Sequence, residues 1–288
     1  MESLFESIDE WLREVLTEGI MSLLGNTFDS VNYHVGEIAT EVGKTPSAFS
    51  PEIFKMIRTL SENVIMPIAG IILTFIACYE LIQLIVSHNN LANFETWIFF
   101  KWVFKTFVAV TLISNTFNIT MAVFDVANHV IVSAGGLIKG STSIDTDALA
   151  NLEDTLSYSS TGELMAILIQ SLIISTFIYL LSTLIFVIVY ARMIEIYLMV
   201  SLAPIPFATF GNKEQSMIGQ NYVRSLFALG FQGFLIMVCV AIYAVLIQSI
   251  AFSDNIILSL WGVCGYTLLL TFTLFKTGTV AKSILHAH

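Results

Sequence analysis

Charged side chains are scarce in the apolar parts of this chain, and those that occur there are the first candidates for chemistry. Glu80 interrupts the run Asn63 to Ser87, and Lys101 and Lys105 lie at the head of the next apolar stretch. A lone carboxylate in hydrocarbon is costly or protonated, so a partner is expected. Glu80 lies eight residues before the turn His88-Asn89-Asn90, and Lys105 lies ten residues after Glu95. An antiparallel hairpin brings the two to similar depth. The expected pair is Glu80–Lys105, with Lys101 as the alternative partner and a proton relay at Glu80 as the competing reading. Arg192 and Glu195 are three apart and share a helical face. They read either as a salt bridge anchoring a helix end at an interface or as a contact surface for a cytoplasmic partner.

No arrangement for catalysis is found. His-Glu-x-x-His, Gly-x-Ser-x-Gly, the P-loop and Gly-x-Gly-x-x-Gly are all absent. An intramembrane protease needs Ser/His or paired Asp at depth, whereas the apolar runs here offer neither. His129 sits beside Asn128 near an expected interface, and His286 and His288 are too few for a metal site. Cys78, Cys239 and Cys264 show no metal spacing and read as small buried hydrophobes. The expectation is a protein that is not an enzyme, with no catalytic residue, metal or cofactor.

The elements that must position these groups are set by composition. Hydrophobic residues make up 56% of 288 and charged residues 12%, which indicates an all-α polytopic membrane protein. The longest apolar run lies between Glu163 and Lys213 and carries only Arg192 and Glu195 as charges. If a span starts at Leu164, a rise of ~1.5 Å per residue puts Arg192 roughly 42 Å along. A bilayer core is about 30 Å thick, so the charged pair is expected at the far membrane face. Pro204 and Pro206, followed by Gly211, then break the helix, and the chain turns along that face or dips back into it.

About five spans are expected, near 63–87, 101–124, 164–190, 225–253 and 256–275, with a loop at 126–162 and an interfacial segment at 191–224. Residues 1–62 form a separate region. In its first 25 residues Leu4, Phe5, Ile8, Trp11, Leu12, Val15, Leu16, Ile20 and Leu24 recur at helical spacing against an acidic face. Lipid-binding surface helices usually carry Lys and Arg there, so docking on another subunit or on the protein's own spans fits better. Met1 is followed by Glu2 with no basic or continuous apolar start, so no cleavable signal is expected. Gly230-x-x-Gly233 and Gly262-x-x-Gly265 mark the last two spans for close helix packing.

Charge sets the expected orientation. Lys101, Lys105, Arg192, Lys213, Arg224, Lys276 and Lys282 share one side with only Glu80, Glu95, Glu195 and Glu214, while the remaining acids lie on the other. The positive-inside rule then places the C-terminus in the cytoplasm and the N-terminus outside. A sixth crossing at 190–210 is the alternative. A secondary transporter is disfavoured: five spans do not halve, and the proline pair after Ala203 has no counterpart in the first half.

The run Tyr190-Ala191-Arg192-Met193-Ile194-Glu195-Ile196-Tyr197, then Ala203-Pro204-Ile205-Pro206-Phe207-Ala208 and Gly211, resembles the TrbL-like membrane subunits of conjugative type IV secretion systems. Ser201 to Gly211 followed by Ala228-Leu229-Gly230-Phe231-Gln232-Gly233-Phe234 is similar to versions from Gram-positive mobile elements. The resemblance covers roughly Asn63 to Phe275. It implies a multi-pass plasma-membrane protein with an external N-terminus, about five spans and a cytoplasmic C-terminus. It further implies a scaffold or channel subunit through which single-stranded DNA–protein substrate passes, driven by separate ATPases. Expected partners are membrane lipid, further copies of the chain, other secretion subunits including the ATPases, and transiently the DNA. Arg192, Glu195, Lys213 and Arg224 are the expected cytoplasmic contact residues. A small-molecule transporter or an autonomous pore is the alternative.

Overall fold

The computed structural model describes residues 2–87, 96–137, 153, 156–212, 214–249 and 256–287. The turn at 88–95, most of the acidic stretch 138–155, Lys213 and the Asp254-Asn255 turn lie outside the described residues. The principal elements are helical: α1 (Glu2–Val42), α2 (Pro46–Phe49), α3 (Pro51–Leu60), α4 (Met66–Ser87), α5 (Thr96–Ser114), α6 (Thr116–Leu137), α7 (Thr161–Leu202), α8 (Pro204–Ala208), α9 (Ser216–Gln248) and α10 (Ile256–Ile284).

Six stretches among the described residues are long and apolar enough to cross a membrane: Pro51–Val86, Thr96–Ser114, Thr116–Gly135, Thr161–Gly211, Ser216–Gln248 and Leu258–Ile284. The sequence predicted about five. The difference lies at 101–124, where two helices meet at Asn115. The Asn115 amide N–H is shared between the carbonyls of Thr111 (3.2 Å) and Leu112 (3.3 Å), and its side-chain nitrogen donates to Thr111 O at 2.9 Å. The Thr116 hydroxyl donates to Leu112 O at 2.9 Å. Side chains that compete for the helix's own carbonyls bend it. Bonding of the i to i−4 kind nevertheless resumes across the break, with Ile119 N–H donating to Asn115 O at 3.0 Å.

A second correction concerns the loop expected from residue 126, because α6 runs on to Leu137. Phe117, Phe124, Ala127 and Ile131 form a buried stripe at helical spacing, while Asp125 and His129 take the exposed side. The polar residues that read as a loop are the outer face of a helix. The N-terminal helix is likewise longer than the first 25 residues: Phe28, Val31, Val35, Ile38 and Val42 extend the buried stripe begun by Leu16, Ile20 and Leu24.

Proline and caps shape the entry to α4. Ser50 Oγ accepts the Ile53 N–H at 3.4 Å with Pro51 in the first turn of α3. Pro67 lacks a donor and its ring crowds the carbonyl four residues back. The turn before it widens accordingly into the π-helix Ser61–Ile65, closed by Met66 N–H to Ser61 O.

The chain divides into two compact units, one made of Met1–Val42, Ser133–Tyr190 and Leu235–Thr277, the other of Gly43–Val132, Ala191–Phe234 and Gly278–His288. In the first, the Thr27 and Ser175 hydroxyls lie 2.8 Å apart and those of Tyr243 and Thr267 3.1 Å apart, all buried. In the second, one core gathers Ile57, Phe117, Phe124, Met193, Tyr197 and Leu229, and another gathers Ala69, Leu73, Ala109, Ile113, Phe207 and Ala208. The residues singled out for chemistry that are described and charged all fall in the second unit.

Candidate functional site

The Lys105 ammonium donates to the Glu80 carboxylate, joining α4 to α5, with Glu80 the more buried of the two. Trp102 Nε1 donates to Ala77 O at 3.1 Å one turn away, so the two helices are fixed by an ion pair and an indole bond. Lys101 points elsewhere, its ammonium 5.7 Å from the centroid of the Trp97 ring. The pair removes what would otherwise be an unmatched carboxylate on an apolar helix.

Arg192 is not the exposed contact residue expected from the sequence. Its side chain is buried, at 5% exposure, and reaches across from α7 to the backbone of α9. Nε lies 3.4 Å from Leu229 O, and one terminal nitrogen 3.4 Å from Gly230 O. A guanidinium stays charged in proteins, so burial without hydrogen-bond acceptors would be severely unfavourable. The glycines make the cradle. A Cβ on Gly233 would lie 2.6 Å from an Arg192 nitrogen and 2.5 Å from Ile131 Cδ1, and one on Gly230 would lie 3.0 Å from Ala127 Cβ. Gly230-x-x-Gly233 therefore admits both an arginine and helix α6. A Cβ on Gly265 would meet nothing within 4 Å. Glu195, read from spacing as a partner of Arg192, makes its direct ion pair with Lys282 of α10 at 3.1 Å, both half-exposed, while its charge still acts on the guanidinium one turn away. Arg224 is exposed on α9.

The proline break after α7 is a packed turn. Ala203 keeps helical angles and Phe207 N–H reaches its carbonyl at 3.3 Å, so the chain re-enters a short helix at Pro204. Pro204, Phe207 and Ala208 are buried, and α8 packs on α4 and α5. Gly211 is enclosed: a Cβ there would lie 3.2 Å from Leu73 Cδ1. Three groups that sequence reading missed, Thr209, Gly219 and Tyr222, hold this turn. Thr209 Oγ1 donates to Pro206 O at 2.7 Å and accepts the Gly219 N–H at 3.0 Å. Gly219 leaves no room for a side chain, since its Cβ would lie 2.8 Å from Pro206 O. Tyr222 donates to Met199 O at 2.8 Å, and Tyr197 donates to Pro46 O at 2.7 Å, tying α2 to α7. A Thr and a Gly spaced ten apart around a Pro-rich break were the available signal, and neither is informative alone.

Cys78 is exposed on α4, not buried; Cys264 is buried and Cys239 lies between. Among the described residues no three His, Cys, Asp or Glu side chains are grouped to hold a metal ion. What the arrangement does is mechanical: charge and backbone polarity are matched so that α4, α5, α7 and α9 hold fixed positions within their unit. No curated protein and no solved structure matches the chain. The family model described as TrbL/VirB6 plasmid conjugal transfer like protein matches residues 31–204, which include Glu80, Lys105 and Arg192. On that match over more than half of its length, the chain belongs to the TrbL/VirB6-like conjugal transfer family.

Proposed function

We propose that this protein is a non-enzymatic scaffold or channel subunit of a conjugative type IV secretion system. It supports passage of a single-stranded DNA–protein substrate across the plasma membrane. The observation that carries the reading is the family membership across residues 31–204. The apolar helices of a multi-pass membrane protein support it. Its partners are further copies of itself, other secretion subunits and their ATPases, and its relation to Gram-positive mobile elements rests on the Ser201–Gly211 and Ala228–Phe234 runs.

We count α5 and α6 as one bent crossing, because helical bonding resumes over Asn115 without a reversing loop. Five crossings then place the basic C-terminal end in the cytoplasm and the acidic N-terminal region outside, by charge asymmetry. The test of function is an in-frame deletion in a donor cell. Transfer should fall to background with replication of the element unchanged, and the intact gene should restore it; normal transfer without the protein overturns the reading. Orientation is tested with Asp147→Cys and Ser283→Cys, each in a Cys78→Ser background. An impermeant maleimide should label the first in intact cells and the second only after permeabilisation, and the opposite pattern inverts the map.

A further inference from the structure

The first third of α1 carries two features that no contact among the described residues uses. Leu4, Phe5, Ile8, Trp11 and Val15 are all exposed, between 46% and 68%, in one stripe along the helix. This stripe is distinct from the face on which α1 packs. At ~100° per residue, Ile20 lies roughly 120° around the axis from Ile8. Ile20, Leu16 and Leu24 are buried. Asp9 and Arg13 mark the same packed side: Asp9 accepts from Thr161 at 2.5 Å, and Arg13 donates to Thr161 at 3.3 Å and pairs with Asp9 at 3.0 Å.

The second feature is a row of glutamates. Glu6, Glu10, Glu14 and Glu18 follow one another at intervals of four, all exposed; at ~100° per residue the row winds from the margin of the packed face at Glu6 to the edge of the stripe beside Trp11 at Glu14 and Glu18. Like charges at this spacing destabilise a helix. Among the described residues none of the four is ion-paired, although Asp9, on the packed side, is. The row extends about 18 Å at ~1.5 Å per residue. An exposed apolar stripe edged by unneutralised anions defines its occupant by charge as well as by shape. Anionic lipid is repelled. A second copy laid on the same face would bring acid against acid.

We propose that this face of α1 is the docking surface for a cationic amphipathic helix of another protein, with apolar residues over Ile8 and Trp11 and Lys or Arg one turn apart facing the glutamate row. The inference does not depend on what the secretion system carries. The probe is a fluorophore-labelled synthetic helix with a leucine face flanked by lysines at intervals of four, titrated onto the full chain in zwitterionic nanodiscs and followed by anisotropy. Saturable binding is expected. The quadruple variant E6Q/E10Q/E14Q/E18Q should weaken it about tenfold, as four partly screened charge pairs together would. Phe5→Ser with Trp11→Ser should weaken it comparably, whereas E52Q/D125N/E214Q, exposed acids elsewhere, should not.

Glu10→Lys with Glu14→Lys should transfer binding to the matching leucine–glutamate helix, an outcome that misfolding would not produce. Unchanged binding to the quadruple variant, or equal binding of the leucine–glutamate helix to the native chain, overturns the proposal. So does a photocrosslinker at Trp11 that yields adducts of lipid or of a second copy in preference to the basic helix.

Discussion

Arg192 shows how one residue's charge can be carried inside an apolar protein on backbone hydrogen-bond acceptors. Its acceptors are backbone carbonyls of α9, reached because Gly230 and Gly233 have no side chains. Adding a methyl group at Gly233 forces the guanidinium or Ile131 to move. Gly233→Ala should cost about 1–3 kcal/mol by overpacking. At Gly265, where the space is open, the same change should gain up to about 1 kcal/mol of helix propensity. Thermal melts of the detergent-solubilised variants, shifted in opposite directions, check both. The Glu80–Lys105 pair yields a cycle rather than a single number. Lys105→Met strands a carboxylate and should destabilise; adding Glu80→Gln should recover most of the loss, with a coupling on the order of 1 kcal/mol. Full additivity of the two changes would show that the contact contributes nothing.

At the scale of elements, α2 is a single turn held to α7 by the Tyr197 hydroxyl and by packing of Phe49. Tyr197→Phe removes the bond to Pro46 O and should cost about 1 kcal/mol, with faster amide exchange confined to Thr45–Ser50. Which elements could be read in advance follows from their physics. Hydrocarbon demands long uninterrupted apolar helix, so the runs that became α4, α7, α9 and α10 announce themselves. Only eight residues separate Ser87 from Thr96, which is why Glu80 and Lys105 could be set opposite each other by counting. Asn115 gave no such warning, because a side chain bending back to its own helix changes no hydrophobic period. The last turns of α6 were hidden by Asp125, Asn128 and His129, whose polarity outweighed the stripe of Phe124, Ala127 and Ile131. The destination of Arg192 was not legible either: its carbonyl acceptors lie 37 and 38 residues away and have no side-chain signature.

For the whole molecule, the uneven distribution of charge is the property with the broadest reach. If basic groups gather at the entry side for a polyanionic substrate, reversing them should slow transfer whether or not they touch it. Lys213→Glu with Arg224→Glu should lower mating frequency while the protein still reaches the membrane in normal amount, measured by transconjugant counts against immunoblots of membrane fractions. Transfer at the native rate would remove that role. Arg224 is exposed, so its part of the change disturbs no packed group.

The bond between Glu80 and Lys105 also bears on how the protein is made. The acid leaves the ribosome 25 residues before its base. Until then a helix containing it must either wait in the insertion channel or enter lipid at a penalty of about 2.5–3.5 kcal/mol. If the pair lies within the bilayer, release of α4 and α5 together is favoured by that penalty, and a nascent chain arrested before Lys105 should remain beside the translocon, where it can be cross-linked, longer than a purely apolar helix of equal length.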